Sequence, residues 1–246
     1  MGDSSLIFGI HSVGAALERG GRVAAVWLDQ RRRDRPLEQI RAAAHAQGIA
    51  VHEVPRQELD QMQPQGRHQG VVARVAAAPG VGERDLPGLL AGLQAPAFLL
   101  VLDGVQDPHN LGACLRSADA AGAHGVIVPK DRAVGLTATV RKVASGAAEA
   151  LPLIVVTNLA RALEQLQQAG VWLVGLAGDA EQSLYETDLS GPLALVLGAE
   201  GSGLRRLTRE RCDFLAHLPM AGSVASLNVS VAAGVALFEA VRQRRS

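Results

Sequence analysis

Cysteine is nearly absent: Cys114 and Cys212 are the only two in 246 residues. They offer no paired framework and no ligand spacing, which excludes a disulfide scaffold or a cysteine metal module and makes a cytoplasmic protein with reduced thiols the expectation. Net charge is missing too. The 24 basic residues balance 24 acidic ones, so no argument runs from bulk basicity to nucleic acid. Lysine is scarce, with Lys130 and Lys142 standing against 22 arginines. That skew fits phosphate-gripping guanidinium forks and fits genome composition as well. No signal peptide opens the chain and no apolar run is long enough to span a bilayer, so no membrane partner is expected. A GxGxxG in the required order and a P-loop are also lacking.

What is present is a composition of 48% hydrophobic and 20% charged residues, that of an ordered globular protein large enough for a full core. Residues 1–78 alternate helix and strand: a helix from Ser12 to Arg19, a strand Val23–Leu28, a helix Pro36–Gln47, a strand Ile49–Val54, a short helix Gln57–Met62 and a strand Gly70–Val75. They make a compact α/β unit holding ten arginines and eight acids, so any electrostatic footprint is local. Its loop QRRRDR carries Arg31, Arg32 and Arg33, a candidate RNA contact or a solvated charged loop. Arg67 and His68, in QGRHQG, form a second exposed basic group that joins that face or marks a bare turn.

Residues 79–95, with Pro79, Gly80, Gly82, Pro87 and Gly88, read as a linker ending in a short helix. From residue 96 to 246 the alternation is regular, with strands at 97–102, 125–129, 151–156, 171–177, 193–197 and 215–218. Helices fit 111–121, 137–147, 158–169, 203–212 and 226–244. Strands that are apolar without alternation are covered on both faces, which gives a doubly wound, mostly parallel sheet with ligands at its carboxyl edge.

Three loops at that edge hold the unusual residues. DPHNLGACLRSADAAG places Asn110 as cap of a helix whose Gly112, Ala113 and Ala118 permit close packing, with one arginine, Arg116, among small residues. Cys114 reads as packing and His109 as loop structure. GAEGSGL, residues 198–204, follows an apolar strand, and its three glycines let backbone approach a ligand while Glu200 projects from the turn. LPMAGSVASLNVSV, residues 218–231, leads into the last helix with Ser226 as cap, leaving free amides to hold a carboxylate or phosphate.

In order, these stretches resemble the three motifs of the TrmH/SpoU branch of the SPOUT RNA methyltransferases, and the first 78 residues resemble the L30e-like substrate-binding domain of many members. The resemblance implies a C-terminal domain with a deep trefoil knot, S-adenosylmethionine as donor, no metal, and a homodimer with a site shared between subunits. It implies catalytic roles for Asn110, Arg116, Glu200, Ser226 and Asn228, and cofactor contacts from Gly198, Ala199, Gly201, Leu218, Met220 and Leu227. The substrate it implies is an RNA ribose, a guanosine of 23S rRNA foremost; a tRNA ribose, or a non-catalytic RNA-binding protein of the same fold, are the alternatives. A ribose 2'-hydroxyl is a poor nucleophile whereas a sulfonium methyl is already activated, so the enzyme must align the two and stabilise developing alkoxide character. Arg116 suits that task better than base catalysis, because a guanidinium resists deprotonation.

Overall fold

The computed structural model describes residues 4–18, 23–64, 67–76 and 81–245. The expected break at Pro79 and Gly80 lies outside them. The chain divides into two compact units, residues 1–79 with 145–150, and 80–144 with 151–246.

In the first unit β1 (Ser4–Phe8), α1 (Ile10–Glu18), β2 (Val23–Asp29), α2 (Arg35–Ala46), β3 (Ala50–Val54), α3 (Arg56–Met62) and β4 (Val71–Ala76) follow in order. The mixed sheet runs β1-β4-β2-β3, with only β2 and β3 parallel. β1 carries no marked alternation and escapes a reading of the sequence, because its partner lies some seventy residues away in register Ser4↔Ala76. α2 starts where Asp34 accepts from Leu37 N and a proline occupies the first turn, and it buries Leu37, Ile40 and Ala44 against Val26, Leu28 and Val71.

The second unit contains β5 (Val81–Gly82), α4 (Leu86–Ala91), β6 (Phe98–Asp103), α5 (Pro108–Ala120), β7 (Gly125–Pro129) and α6 (Ala138–Ala144). After the one-turn α7 (Ala147–Ala150), which clusters with the first unit, come β8 (Leu153–Val156), α8 (Leu159–Gln168), β9 (Trp172–Leu176), β10 (Gln182–Ser183), β11 (Leu193–Gly198), α9 (Arg206–Arg211), β12 (Phe214–His217) and α10 (Val229–Arg244). The segment read as a linker is therefore built in: β5 adds a parallel edge strand beside β8, and Leu86 is fully buried. The helix expected over 137–147 ends at Ala144, where Ser145 and Gly146 take φ of 52° and 93° and so leave the helical region.

Eight parallel strands form the sheet β10-β12-β9-β11-β6-β7-β8-β5. Every residue of β6 is buried, as expected of a central strand covered on both faces. One face packs Leu99, Val101 and Val196 against Leu159, Leu163 and Leu166 of α8. Strand order reverses between β6 and β11: β7, β8 and β5 lie to one side, and β9, β12 and β10 to the other. Their register ends on Gly198↔Asp103, so the loops that follow both strands leave the sheet side by side. Such a switch point at the carboxyl edge is where open α/β sheets bind ligands.

Candidate functional site

The turn after β6 begins the site. Asp107, not Asn110, caps α5: its carboxylate accepts from His109 N at 3.0 Å and Pro108 occupies the first helical position. Asn110 therefore sits inside the first turn, 7% exposed, with its amide free to reach sideways. It donates to Glu200 Oε1 at 3.0 Å, while its Oδ1 accepts from Asn228 Nδ2 at 3.0 Å. Asn228 also donates to Glu200 Oε1 at 2.6 Å. The cap of α10 differs in the same way. Asn228, rather than Ser226, holds it, with Oδ1 accepting from Ser230 N at 2.9 Å. Three motif residues from three loops thus form one polar cluster on a single carboxylate.

The turn carrying Glu200 is closed by Gly203 N donating to Ala199 O at 2.9 Å and Ala199 N donating to Gly203 O at 3.2 Å. Gly201 and Gly203 take φ of 78° and 66°, in the left-handed region that glycine occupies without strain. Gly198 is required for another reason. A Cβ there would stand 2.0 Å from Gly203 C, so the returning chain lies directly against it.

A cavity of about 610 Å³ opens beside this turn, lined by its backbone and by Leu176, Leu218, Met220 and Leu227. All six residues expected at the cofactor, Gly198, Ala199, Gly201, Leu218, Met220 and Leu227, line it, as does Ser226. The loop after β9, Leu176 to Asp179, belongs to the same wall and was missed in the sequence, although an apolar strand running into LAGD at the sheet's carboxyl edge is a usable signal. Asp179 accepts from Arg209 at 2.8 Å, and that guanidinium holds its carboxyl below the usual range.

A second cavity of about 400 Å³ lies on the other side of Glu200, which together with Ala199, Ser202 and Val229 lines both. Its walls include Asn110, Asp107, Arg132 and Arg205. Asp103, 1% exposed at the end of β6, accepts from Arg205 N at 3.0 Å and also from its guanidinium. Nothing local in the sequence announces this pair, whose members lie 102 positions apart. Burial, with a further contribution from the charge of Glu200, pushes the Cys114 thiol up to about 12, so this cysteine serves as packing and not as a nucleophile. Arg116 stands apart. It is exposed on α5, about 9 Å along the axis from Asn110, and among the described residues lining the two cavities it is absent.

In the first unit the basic candidates divide. Arg31 and Arg67 are exposed. Arg32 donates to Asp34 and to Gln69 O, both at 2.7 Å, and Arg33 donates to Glu53 at 3.1 Å, so these two tie loops together. His68 corrects the expectation of an exposed basic group. It is 2% exposed, its Nδ1 accepts from Gly70 N at 3.0 Å, and its Nε2 lies 2.9 Å from Asp60 Oδ1. The imidazole closes its own turn, and no face of it is left for RNA.

The family model described as the SpoU rRNA Methylase family matches residues 97–238, and the one described as RNA 2'-O ribose methyltransferase substrate binding matches residues 6–80. The chain is 58% identical over 247 residues to the 23S rRNA (guanosine-2'-O-)-methyltransferase RlmB of Shewanella oneidensis, covering 100% of both chains. It is 57% identical over 242 residues to the protein of the same name in Escherichia coli, covering 98% of this chain and 99% of the other. Among solved structures, the SpoU methyltransferase AviRb from Streptomyces viridochromogenes in complex with AdoMet superposes with a TM-score of 0.80 at 27% identity, covering 98% of this chain and 91% of that one. An RNA 2'-O ribose methyltransferase gives 0.78 at 29%, covering 99% and 90%.

Proposed function

Since the chain belongs to the SpoU rRNA methylase family, we propose that it transfers the methyl group of S-adenosylmethionine to the 2'-hydroxyl of a guanosine ribose in 23S rRNA, in the cytoplasm. The observation that carries this reading is the cluster of Asn110, Glu200 and Asn228 standing between two cavities, one of about 610 Å³ walled by apolar side chains and a glycine turn and one of about 400 Å³ walled by charged groups.

The larger cavity fits the cofactor on its own chemistry. Leu176, Leu218, Met220 and Leu227 offer an apolar seat for an adenine, the glycine turn brings backbone close, and Asp179, kept ionised by Arg209, accepts from hydroxyl or ammonium groups. When bound, S-adenosylmethionine supplies a methyl group already activated by sulfonium charge. The protein's task is then alignment and electrostatics. Glu200 is held by two amide donors on one oxygen, which fixes its carboxylate at the boundary of the cavities. Ser226 faces the cofactor side.

Arg116 supplies positive charge for the alkoxide that develops as the hydroxyl loses its proton, and it does so in a homodimer. It lines neither cavity of its own subunit. The neighbouring Ser117 packs against Gly234 of α10, and α10 exposes Val231 at 50% and Phe238 at 51%, two helical turns apart on one face. A second copy covering that apolar face brings Arg116 of the partner subunit to the site. RNA is selected by the first unit, with Arg31 and Arg67 at phosphates.

The test is methyl transfer to 23S rRNA transcript, with 2'-O-methyl positions mapped afterwards. One guanosine is expected to be modified. Arg116→Ala and Glu200→Ala are each expected to be inactive and, once mixed and re-equilibrated, to recover activity, since a mixed dimer contains one intact site. Full activity of Arg116→Ala refutes its role, and no recovery on mixing refutes the shared site.

A further inference from the structure

The smaller cavity has a composition that restricts what it holds. Its acidic lining residues are Asp103, Asp107 and Glu200 and its basic ones Arg132 and Arg205, three carboxylates against two guanidiniums. That balance disfavours a phosphate. It suits a neutral ring with acceptors along one edge and donors along another, and about 400 Å³ is the size of a small-ligand site. The charged groups are not equally available. Asp103 is taken by Arg205, and Glu200 holds the two asparagine amides. Asp107 uses Oδ1 for the cap and keeps its second oxygen, while Arg132 has an exposed guanidinium with no partner among the described residues.

Arg132 is also held in place. Its backbone takes φ of 59°, unusual for a residue with a side chain, and two positions on Val134 N donates to Val105 O at 3.2 Å. The loop after β7 is thereby pinned to the loop after β6 that leads to Asp107 and Asn110. Gly104, at φ 92°, takes the left-handed conformation where the two loops meet.

Resting on the proposed function, we propose that this cavity is a guanine-reading site: Arg132 donates to O6 and N7 of the target base, and the Asp107 carboxylate accepts from N1–H and the N2 amino group. Arginine matches the O6/N7 edge of guanine bidentately. Adenine offers a donor toward Arg132 and an acceptor toward Asp107, so both contacts turn unfavourable. The base therefore anchors the nucleoside on one side of Glu200 while its ribose lies toward the cofactor cavity.

The experiment uses the full-length protein and a 23S rRNA fragment carrying guanosine, 7-deazaguanosine, inosine or adenosine at the methylated position. Loss of N7 or of the N2 amino group is expected to lower kcat/KM by about tenfold in the wild type, within the range for single base-edge contacts. Arg132→Ala is expected to abolish the 7-deaza penalty, and Arg132→Gln to narrow the guanosine-to-adenosine ratio, because glutamine pairs with adenine N6 and N7. Asp107→Asn preserves the helix cap and is expected to abolish the inosine penalty alone. S-adenosylmethionine affinity is expected to stay at the wild-type value in all three. Penalties that persist unchanged in the variants, or a wild type indifferent to the analogues, overturn the guanine site and leave the methyltransferase reading intact. No transfer to unmodified RNA overturns that reading itself.

Discussion

Gly112→Ala tests whether the position of Asn110 is set by close packing of α5 on α6. A Cβ at residue 112 would lie 2.7 Å from Val143 Cβ, 2.9 Å from Val140 O and 3.0 Å from Val143 Cγ1. Ordinary carbon contacts fall at about 3.5–4.0 Å, so α5 must move out by about 1 Å. Alanine favours a helix over glycine by about 1 kcal/mol, whereas forced overpacking costs about 1–3 kcal/mol. Destabilisation of about 0–2 kcal/mol is the net expectation, a fall of up to about 8 °C in Tm. The larger effect is on chemistry. Asn110 lies two residues earlier on the same helix, and a shift of that size breaks its 3.0 Å bond to Glu200. A misplacement of about 1 Å lowers kcat by about ten- to a hundredfold, with little change in S-adenosylmethionine affinity. Methyl-transfer kinetics and thermal unfolding measure both. Moving the glycine across the contact, in Gly112→Ala with Val143→Gly, is expected to restore part of kcat, since only the Val140 carbonyl still obstructs. A single variant that melts higher than wild type and keeps full kcat refutes the reasoning.

Other substitutions probe the remaining parts. Asn228→Ser keeps a cap on α10 but removes the amide donor facing Glu200, so activity is expected to be lost; Asn228→Ala makes the same loss and drops the cap as well, and is expected to be less stable than Asn228→Ser by about 1 kcal/mol. Equal melting of the two variants would contradict this division. Hydrogen bonds from Arg242 and then Gln243 lower the Glu239 carboxyl from an ordinary 4.5 to about 2. Its stabilisation is therefore complete above pH 4.5 and lost as pH falls toward 2. Glu239→Gln is expected to flatten that acid limb by an amount on the order of 1 kcal/mol, given that Arg242 is largely exposed, and an unaltered limb in acid unfolding counts against it. Arg31→Ala and Arg67→Ala are each expected to reduce the salt slope of RNA binding by about 1, whereas Arg33→Ala, already paired with Glu53, leaves it as it was; identical slopes for all three would remove the first unit's phosphate contacts.

Much of the site is legible in the chain because it is built from loops that follow apolar strands. β6 and β11 read as buried runs, and the glycines and polar residues after them mark the carboxyl edge. The six residues expected at the cofactor come from two loops, those after β11 and β12. Cap assignment was less legible. DPHN contains two good cap residues, Asp107 and Asn110, and cap preferences rank them as equals; only the proline at the first helical position favours Asp107. SLN poses the same ambiguity between Ser226 and Asn228. What the sequence conceals altogether is set by distance along the chain. Asp103 meets Arg205, β1 meets β4, and Arg132 reaches the second cavity only because its loop is pinned to Val105. His68 misled because Gly-flanked basic residues suggest a surface turn, whereas here the imidazole satisfies the Gly70 amide.

The two corrected caps explain how the carboxylate is held. Because Asp107 caps the start of α5, the amide of Asn110 is released to donate to Glu200. Because Asn228 caps the start of α10, its oxygen is spent on Ser230 and only its NH₂ group turns toward the cluster. Both amides then meet the same oxygen, Oε1, so the orientation of Glu200 is fixed by two helices at once. Neutral amides leave its charge uncompensated. Around the cavities Arg205 answers Asp103 and Arg209 answers Asp179, and Arg132 faces the second cavity. In the proposed homodimer the positive charge that a developing alkoxide needs beside this carboxylate comes from Arg116 of the partner subunit, and recovery of activity on mixing Arg116→Ala with Glu200→Ala is the result that separates this source from Arg132, which lines the second cavity of the same subunit.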